Sequence, residues 1–223
     1  MSKTLNIWVV TFLLTLVAGY CDALTFVAAG STFSAHVTGN FIVFAYQIIQ
    51  GGESSAWVKL LTFPVFVMAV MCGGMMAEKL KRYFLLLCLE GVILFLGAIL
   101  AVIFSEFNAT SMVSVYSVTM LTVAAMGLQN AFGKLYAKDT YGPTTMMTGN
   151  VTQAALDFEK LLKNRFRQPE VVASFRKILI TILGFLAGCF LGAFIGKTIG
   201  LTGLFVPALL TLACYFYYKV MDR

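Results

Sequence analysis

Two carboxylates stand in runs that are otherwise apolar: Asp22 in "LVAGYCDALTF" and Glu90 in "LLCLEGVILF". An ionised side chain in mid-membrane costs about 2.5–3.5 kcal/mol on insertion scales, so such a residue usually faces a cavity or a partner. Asp22 lies three residues after Gly19, which puts both on one helical face. Glu90 reads either as a neutral, hydrogen-bonded carboxylic acid or as a second proton or cation site. The chain's one histidine, His36, is a candidate for binding the solute or ion and excludes a multi-histidine metal site.

The triplet Thr-Gly-Asn occurs twice, at Thr38-Gly39-Asn40 and Thr148-Gly149-Asn150, 110 residues apart. Thr and Asn are good helix caps, and Gly lets a backbone or a ligand come close. Free N–H groups and the helix dipole make such starts attractive to anions. If the two starts form one site, Asn40 and Asn150 meet near mid-membrane. Gln129, Asn130, Thr144 and Thr145 add uncharged hydrogen-bonding groups to the second half. The opposite reading is that each start only completes its own helix.

These residues need a membrane around them. The chain has 223 residues, 60% hydrophobic and 12% charged, with a mean hydropathy of +0.88. That composition cannot supply a soluble domain's surface. Six spans are expected, near 6–29, 56–77, 83–104, 112–135, 178–197 and 201–219. The segments 31–51 and 143–162, which hold the two triplets, are left as short or re-entrant helices. After Asn40 only nine apolar residues follow, about 14 Å of helix against a hydrocarbon core of about 30 Å. An alternative lets 31–51 span, giving seven helices. The first segment follows Lys3 and resembles a signal peptide, but apolar character resumes after Cys21, so it reads as a span.

With the N-terminus inside, 14 of the 16 Lys and Arg fall on the inner side. Only Lys59 and Lys197 fall outside, and Lys59 is expected to snorkel outward. The C-terminus is then cytoplasmic. The polar stretch 157–177 reads as a basic loop that also meets anionic headgroups. The five cysteines lie in apolar runs and form no CxxC, as reduced core residues do.

The halves match each other. "GYCDA" at 19–23 corresponds to "GLQNA" at 127–131, and "GMMAEK" at 74–79 to "GAFIGK" at 192–197. Asp22 then corresponds to Asn130. Each half is a helix, a triplet segment and two helices. Three spans per half makes the second copy inverted, as in many secondary transporters. The boundaries are 1–107 and 108–223 within one membrane domain. Gly184, Gly188, Gly192 and Gly196 form a ridge for close helix crossing, internal or in a homo-oligomer. Pro64 and Pro207 are expected to kink two spans.

"GYCDALTFVAAGSTFSAHVTGNFIVFA" and "MGLQNAFGKLYAKDTYGPTTMMTGNVTQ" resemble the two hallmark blocks of the YoaK-like family of bacterial integral membrane proteins, a domain of unknown function. The resemblance implies an inner-membrane protein of six or seven helices and supplies no substrate. His36 departs from it and is a feature of this chain.

No nucleotide loop, metal-ligand cluster or nucleophilic triad appears, so no enzyme, cofactor or nucleic-acid partner is expected. The expected function is a secondary transporter of a small solute, anionic ones included, held between the two triplet helix starts. A passive channel and a non-transporting structural or regulatory membrane protein stand beside it.

Overall fold

The computed structural model describes residues 3–51, 54–80, 84–107, 111–138 and 140–221. Lys81, Arg82 and Arg223, which are among the Lys and Arg of the orientation argument, lie outside the described residues. The described residues are helical or in turns and loops, without strands. The order is α1 (Lys3–Ala28), α2 (Gly39–Ile49), a 3₁₀ turn (Ser54–Trp57), α3 (Val58–Leu80), α4 (Leu85–Glu106), α5 (Met112–Leu135), α6 (Met147–Lys163), α7 (Pro169–Ile199), a 3₁₀ turn (Gly200–Leu204) and α8 (Phe205–Met221).

Five stretches are long and apolar enough to cross a membrane: Ile7–Ala28, Val58–Lys79, Leu85–Glu106, Met112–Leu135 and Pro169–Val220. The last contains both α7 and α8. At Gly200, with φ +62°, α7 stops and the chain folds back, a backbone conformation that glycine adopts without steric penalty. Residues 31–38 are not helical, and the eleven residues of α2 rise only about 16 Å. The segment 31–51 therefore does not make a seventh span.

α1 is the central helix. It packs along α7 for most of its length and also meets α5, α8 and the Gly200–Leu204 turn. Glycine makes this closeness possible. A β-carbon on Gly188 would stand 2.1 Å from the Leu16 carbonyl oxygen, and one on Gly192 2.2 Å from that of Tyr20. Gly184 and Gly196 meet α1 at Phe12 and Leu24. The glycine ridge thus lies inside the molecule, against α1. In return Gly19 of α1 faces the Phe185 carbonyl oxygen, 2.2 Å from where its β-carbon would be. α3 and α5 repeat this contact: a β-carbon on Gly127 would lie 3.0 Å from the Phe66 carbonyl oxygen and 2.7 Å from the Ala69 methyl.

The core has two parts. Val17, Tyr20, Leu24, Leu94, Met126 and Leu204 are buried at one, and Leu14, Leu86, Leu87, Phe132 and Cys214 at the other. Outward rows stay apolar, as on α3, where Leu61, Met68, Met71 and Met75 are exposed. Lipid tails are as apolar as Leu, so such a row is at rest in a bilayer.

Three expectations change. The stretch 157–177 is not a loop. It comprises the end of α6, a turn with Arg165 and Phe166 at positive φ, and the first turns of α7. Buried Asp157 ties these helices, accepting from Gln153 Nε2 at 2.8 Å and Ser174 Oγ at 2.6 Å. Phe158 stacks on Phe175 with centroids 5.8 Å apart. Paired amphipathic faces extend α7 to 31 residues, about 46 Å, beyond what the hydrocarbon core needs. Pro207 stands in the first turn of α8, where its missing N–H breaks no helical bond, so it is no kink site. Lys59 does not snorkel. It is 1% exposed, and its Nζ lies 5.9 Å from the centre of the Tyr116 ring on α5, a cation–π arrangement.

Candidate functional site

α1 ends at Ala28, yet the chain turns back before starting α2. Ser34, Ala35 and His36 reach the level of Asp22, six residues, or about 9 Å, below the end of α1. Asp22 Oδ1 accepts from the backbone N–H groups of Ser34 at 2.9 Å, Ala35 at 2.5 Å and His36 at 3.3 Å. Oδ2 pairs with His36 Nδ1. Asp22 is 3% exposed. A buried carboxylate is sustained only by such full pairing. The bond to Asp22 raises the pKa of His36 above its ordinary value, with burial acting against it.

This arrangement corrects the expected role of the first triplet. Thr38 makes no side-chain cap, having helical φ and ψ itself. Asn40 does the tying. Its Oδ1 accepts from Phe33 N at 2.8 Å, and its Nδ2 donates to Phe33 O at 2.8 Å and Thr62 Oγ1 at 3.0 Å. Asn40 is fully buried and staples the re-entrant loop to α3. The free N–H groups expected to attract an anion are those of the loop, and the chain's own Asp22 occupies them.

The second half repeats the staple in weaker form. Asn150 Nδ2 donates to Pro143 O at 3.2 Å, the same seven-residue reach. Gln129, six residues before the end of α5, donates from Nε2 to Thr144 Oγ1 at 2.9 Å and to Leu14 O at 2.7 Å. Thr11 Oγ1 accepts from Tyr141 N at 3.1 Å. Thr145 is buried, and Asn130 is half-buried on α5. Thr148 lies within α6, which starts at Met147, so it caps nothing. Gly149 has open space where a β-carbon would go.

We expect Asn40→Ala to destabilise the protein by about 2–4 kcal/mol and Asn150→Ala by about 0.5–1.5 kcal/mol, from three bonds made by a fully buried side chain against one made by a half-buried one. Thermal stability of the two purified variants checks the order. Equal losses would mean that the two loops are held alike.

A groove of about 1040 Å³ opens beside the Asp22–His36 pair, lined by α1, the loop, α2 and α7. Thr38 and Gly39 border it, but no residue of α5 or α6 does. α2 packs on α3, and α6 on α7. The groove therefore takes in the first triplet alone, and Asn150 is not part of it. Its walls are apolar: Phe26, Phe33, Ile42, Phe185, Leu186 and Phe190. The His36 ring stands edge-on to Phe185, with centroids 5.5 Å apart.

The chain matches, over residues 10–217, the family described as "Protein of unknown function (DUF1275)". It belongs to that family. No curated protein and no solved structure matches it. Both blocks carrying the two triplets fall inside the family match, so the re-entrant loop and the groove are part of the DUF1275 region.

Glu90 lies apart from the groove. It is fully buried where α4 meets α8; Thr211 Oγ1 donates to its Oε1 at 3.4 Å, and Oε2 has no partner among the described residues. That is the setting of a neutral carboxylic acid. Residue types alone did not reveal Phe185, Cys189 and Phe190 as groove residues, because they come from a helix about 160 residues away in sequence. The seven-residue spacing of Phe33 to Asn40 and Pro143 to Asn150 was the available signal for the staples.

Proposed function

We propose that this DUF1275 protein is a proton-coupled carrier of a small solute in the bacterial inner membrane, with Asp22 and His36 as the protonation and binding site. One observation carries this reading: a carboxylate–imidazole pair set about 9 Å below a helix end, opening on a groove between α1, α2 and α7. Ionisable groups at membrane depth are expensive and are usually kept for transport or relay. Histidine changes charge near neutral pH, which suits coupling to a proton gradient.

The architecture we propose is two inverted repeats, α1–α4 and α5–α8. In support, α1 crosses α7 as α5 crosses α3, through the corresponding glycines Gly19 and Gly127. The two asparagine staples correspond as well. The basic end of α6 and the C-terminus lie on the cytoplasmic side by the charge bias. The site belongs to one repeat and its α7 neighbour, because Asp22 has the neutral Asn130 as its counterpart.

Uptake in proteoliposomes under an imposed pH gradient tests the function, with a solute mixture read by mass spectrometry. Wild-type protein accumulates at least one solute. Asp22→Asn and His36→Gln lower that accumulation by about tenfold, the effect of about 1.4 kcal/mol, while remaining monodisperse. Solute flux that ignores the gradient and is equal in all three proteins would identify a passive channel and end the carrier reading.

A further inference from the structure

The Asp22–His36 pair fixes which kind of headgroup the groove can take. Asp22 Oδ1 already accepts three backbone N–H groups, and Oδ2 is engaged by His36 Nδ1. A cationic amine entering the groove would meet a carboxylate that already makes four bonds and is only 3% exposed. The atom left for a ligand is Nε2 of His36, whose ring borders the groove and is 36% exposed. On an imidazolium this is a charge-assisted donor, and its match is an oxyanion.

The rest of the groove sets the remainder of the ligand. From Phe185 to Ala193 it follows eight residues of α7, about 12 Å. Its lining offers aromatic and aliphatic surface, and its outer edges, Ile42 and Phe190, are 74% and 72% exposed. In a bilayer that exposure is to lipid tails, so a ligand can enter sideways, tail and head together. A phosphate monoester would bring about 1.5–2 negative charges to one imidazolium. A diacyl phospholipid would bring a second chain to a single apolar trough.

We propose that the groove binds a free, single-chain fatty carboxylate drawn from the bilayer, its carboxylate on His36 Nε2 and its chain along α7. This rests on the Asp22–His36 pair being the site, as in the carrier reading, and names its substrate class. The titratable groups lining the groove are Asp22 from α1, His36 from the loop and Cys189 from α7; α2 contributes none. Since the pair keeps His36 protonated to higher pH than a free imidazole and the ligand must be ionised, binding is strongest between the pH at which the fatty acid loses its proton and the raised value of His36, and declines on either side.

A photoreactive diazirine analogue of tetradecanoic acid, cross-linked to the full chain in nanodiscs and mapped by mass spectrometry, tests this. The expected adducts lie on α1 and α7, near Phe26 and Phe190. Free tetradecanoate removes them, whereas its methyl ester and tetradecylamine do not. Labelling falls about tenfold in His36→Gln and in Ala193→Trp, which fills the groove and leaves the pair intact. Cys189→Ser keeps the pH profile, which then belongs to the pair. Equal competition by the ester or stronger competition by the amine overturns the oxyanion assignment. Adducts spread equally over α3 and α8, or unchanged in Ala193→Trp, mean bulk lipid partition and overturn the site. Labelling that persists without gradient-driven uptake sinks the carrier alone. His36-dependent uptake without labelling sinks the substrate class alone.

Discussion

Gly188→Val will leave little folded protein, whereas Gly149→Val will be recovered like wild type. The new β-carbon at Gly188 lands 2.1 Å from Leu16 O and 2.8 Å from Tyr20 N. Both are backbone atoms of α1, so no side-chain rotation can relieve the clash; α1 and α7 must move apart. Their contact is the broadest helix pairing in the molecule, and Gly19, Gly184 and Gly192 make equally close approaches along it. Separation there also forfeits the burial of Val17, Tyr20 and Leu24. Overpacking costs 1–3 kcal/mol where side chains can adjust, and we expect about 3 kcal/mol or more where they cannot. At Gly149 a β-carbon meets nothing within 4 Å, and valine in a helix differs from glycine by only a few tenths of a kcal/mol. Size-exclusion chromatography of the detergent-solubilised variants decides it. A monodisperse Gly188→Val protein with wild-type thermal stability would mean that α1 and α7 do not cross at this distance.

The pair of glycines also shows how far the sequence could be read. A glycine at every fourth position on one helix announces a close crossing, and the ridge on α7 is that crossing. It does not say which helix comes close, because α1 lies about 170 residues earlier in the chain. The apolar runs placed the long helices, since length and hydropathy are local properties. They missed the start of α7, whose first turns are held by Asp157, Ser174 and a phenylalanine stack rather than by the membrane. The triplets marked where the chain re-enters the fold. Their chemistry was misassigned, because Thr-Gly-Asn is a good cap by type and nothing local reveals that Asn40 reaches back to Phe33 and across to Thr62. Lys59 was misplaced for a similar reason. An aromatic ring from α5 gives its charge a place inside, and that ring lies 57 residues away.

Asp22 was legible as the residue to watch, but its job is double, and this sets the other large effect. As a structural anchor it satisfies three buried N–H groups, so Asp22→Ala should unfold the re-entrant loop; each orphaned buried donor costs about 1–3 kcal/mol. Asp22→Asn keeps an acceptor for those groups and loses the charge that holds the imidazolium. The two variants therefore separate anchoring from titration. The sign of the pH dependence follows from His36. Its pKa in the folded protein is raised above 6.5, chiefly by the bond to Asp22, so the folded state binds the proton more tightly than the unfolded chain. The stabilisation is fully present below the unfolded value and is lost as pH rises through the folded one. Wild-type thermal stability should decline across that window above pH 6.5, and Asp22→Asn and His36→Gln should be flat there. Asp22→Ala should be the least stable of the three variants at every pH. A wild-type profile that stays level from acid through alkaline pH would show that Asp22 does not raise the proton affinity of His36. In that case the groove would keep its apolar walls and its anchored loop but would have no titrating head, and coupling to protons would have to find another carboxylate, of which Glu90, buried against Thr211, is the one remaining in the membrane-spanning helices away from their ends.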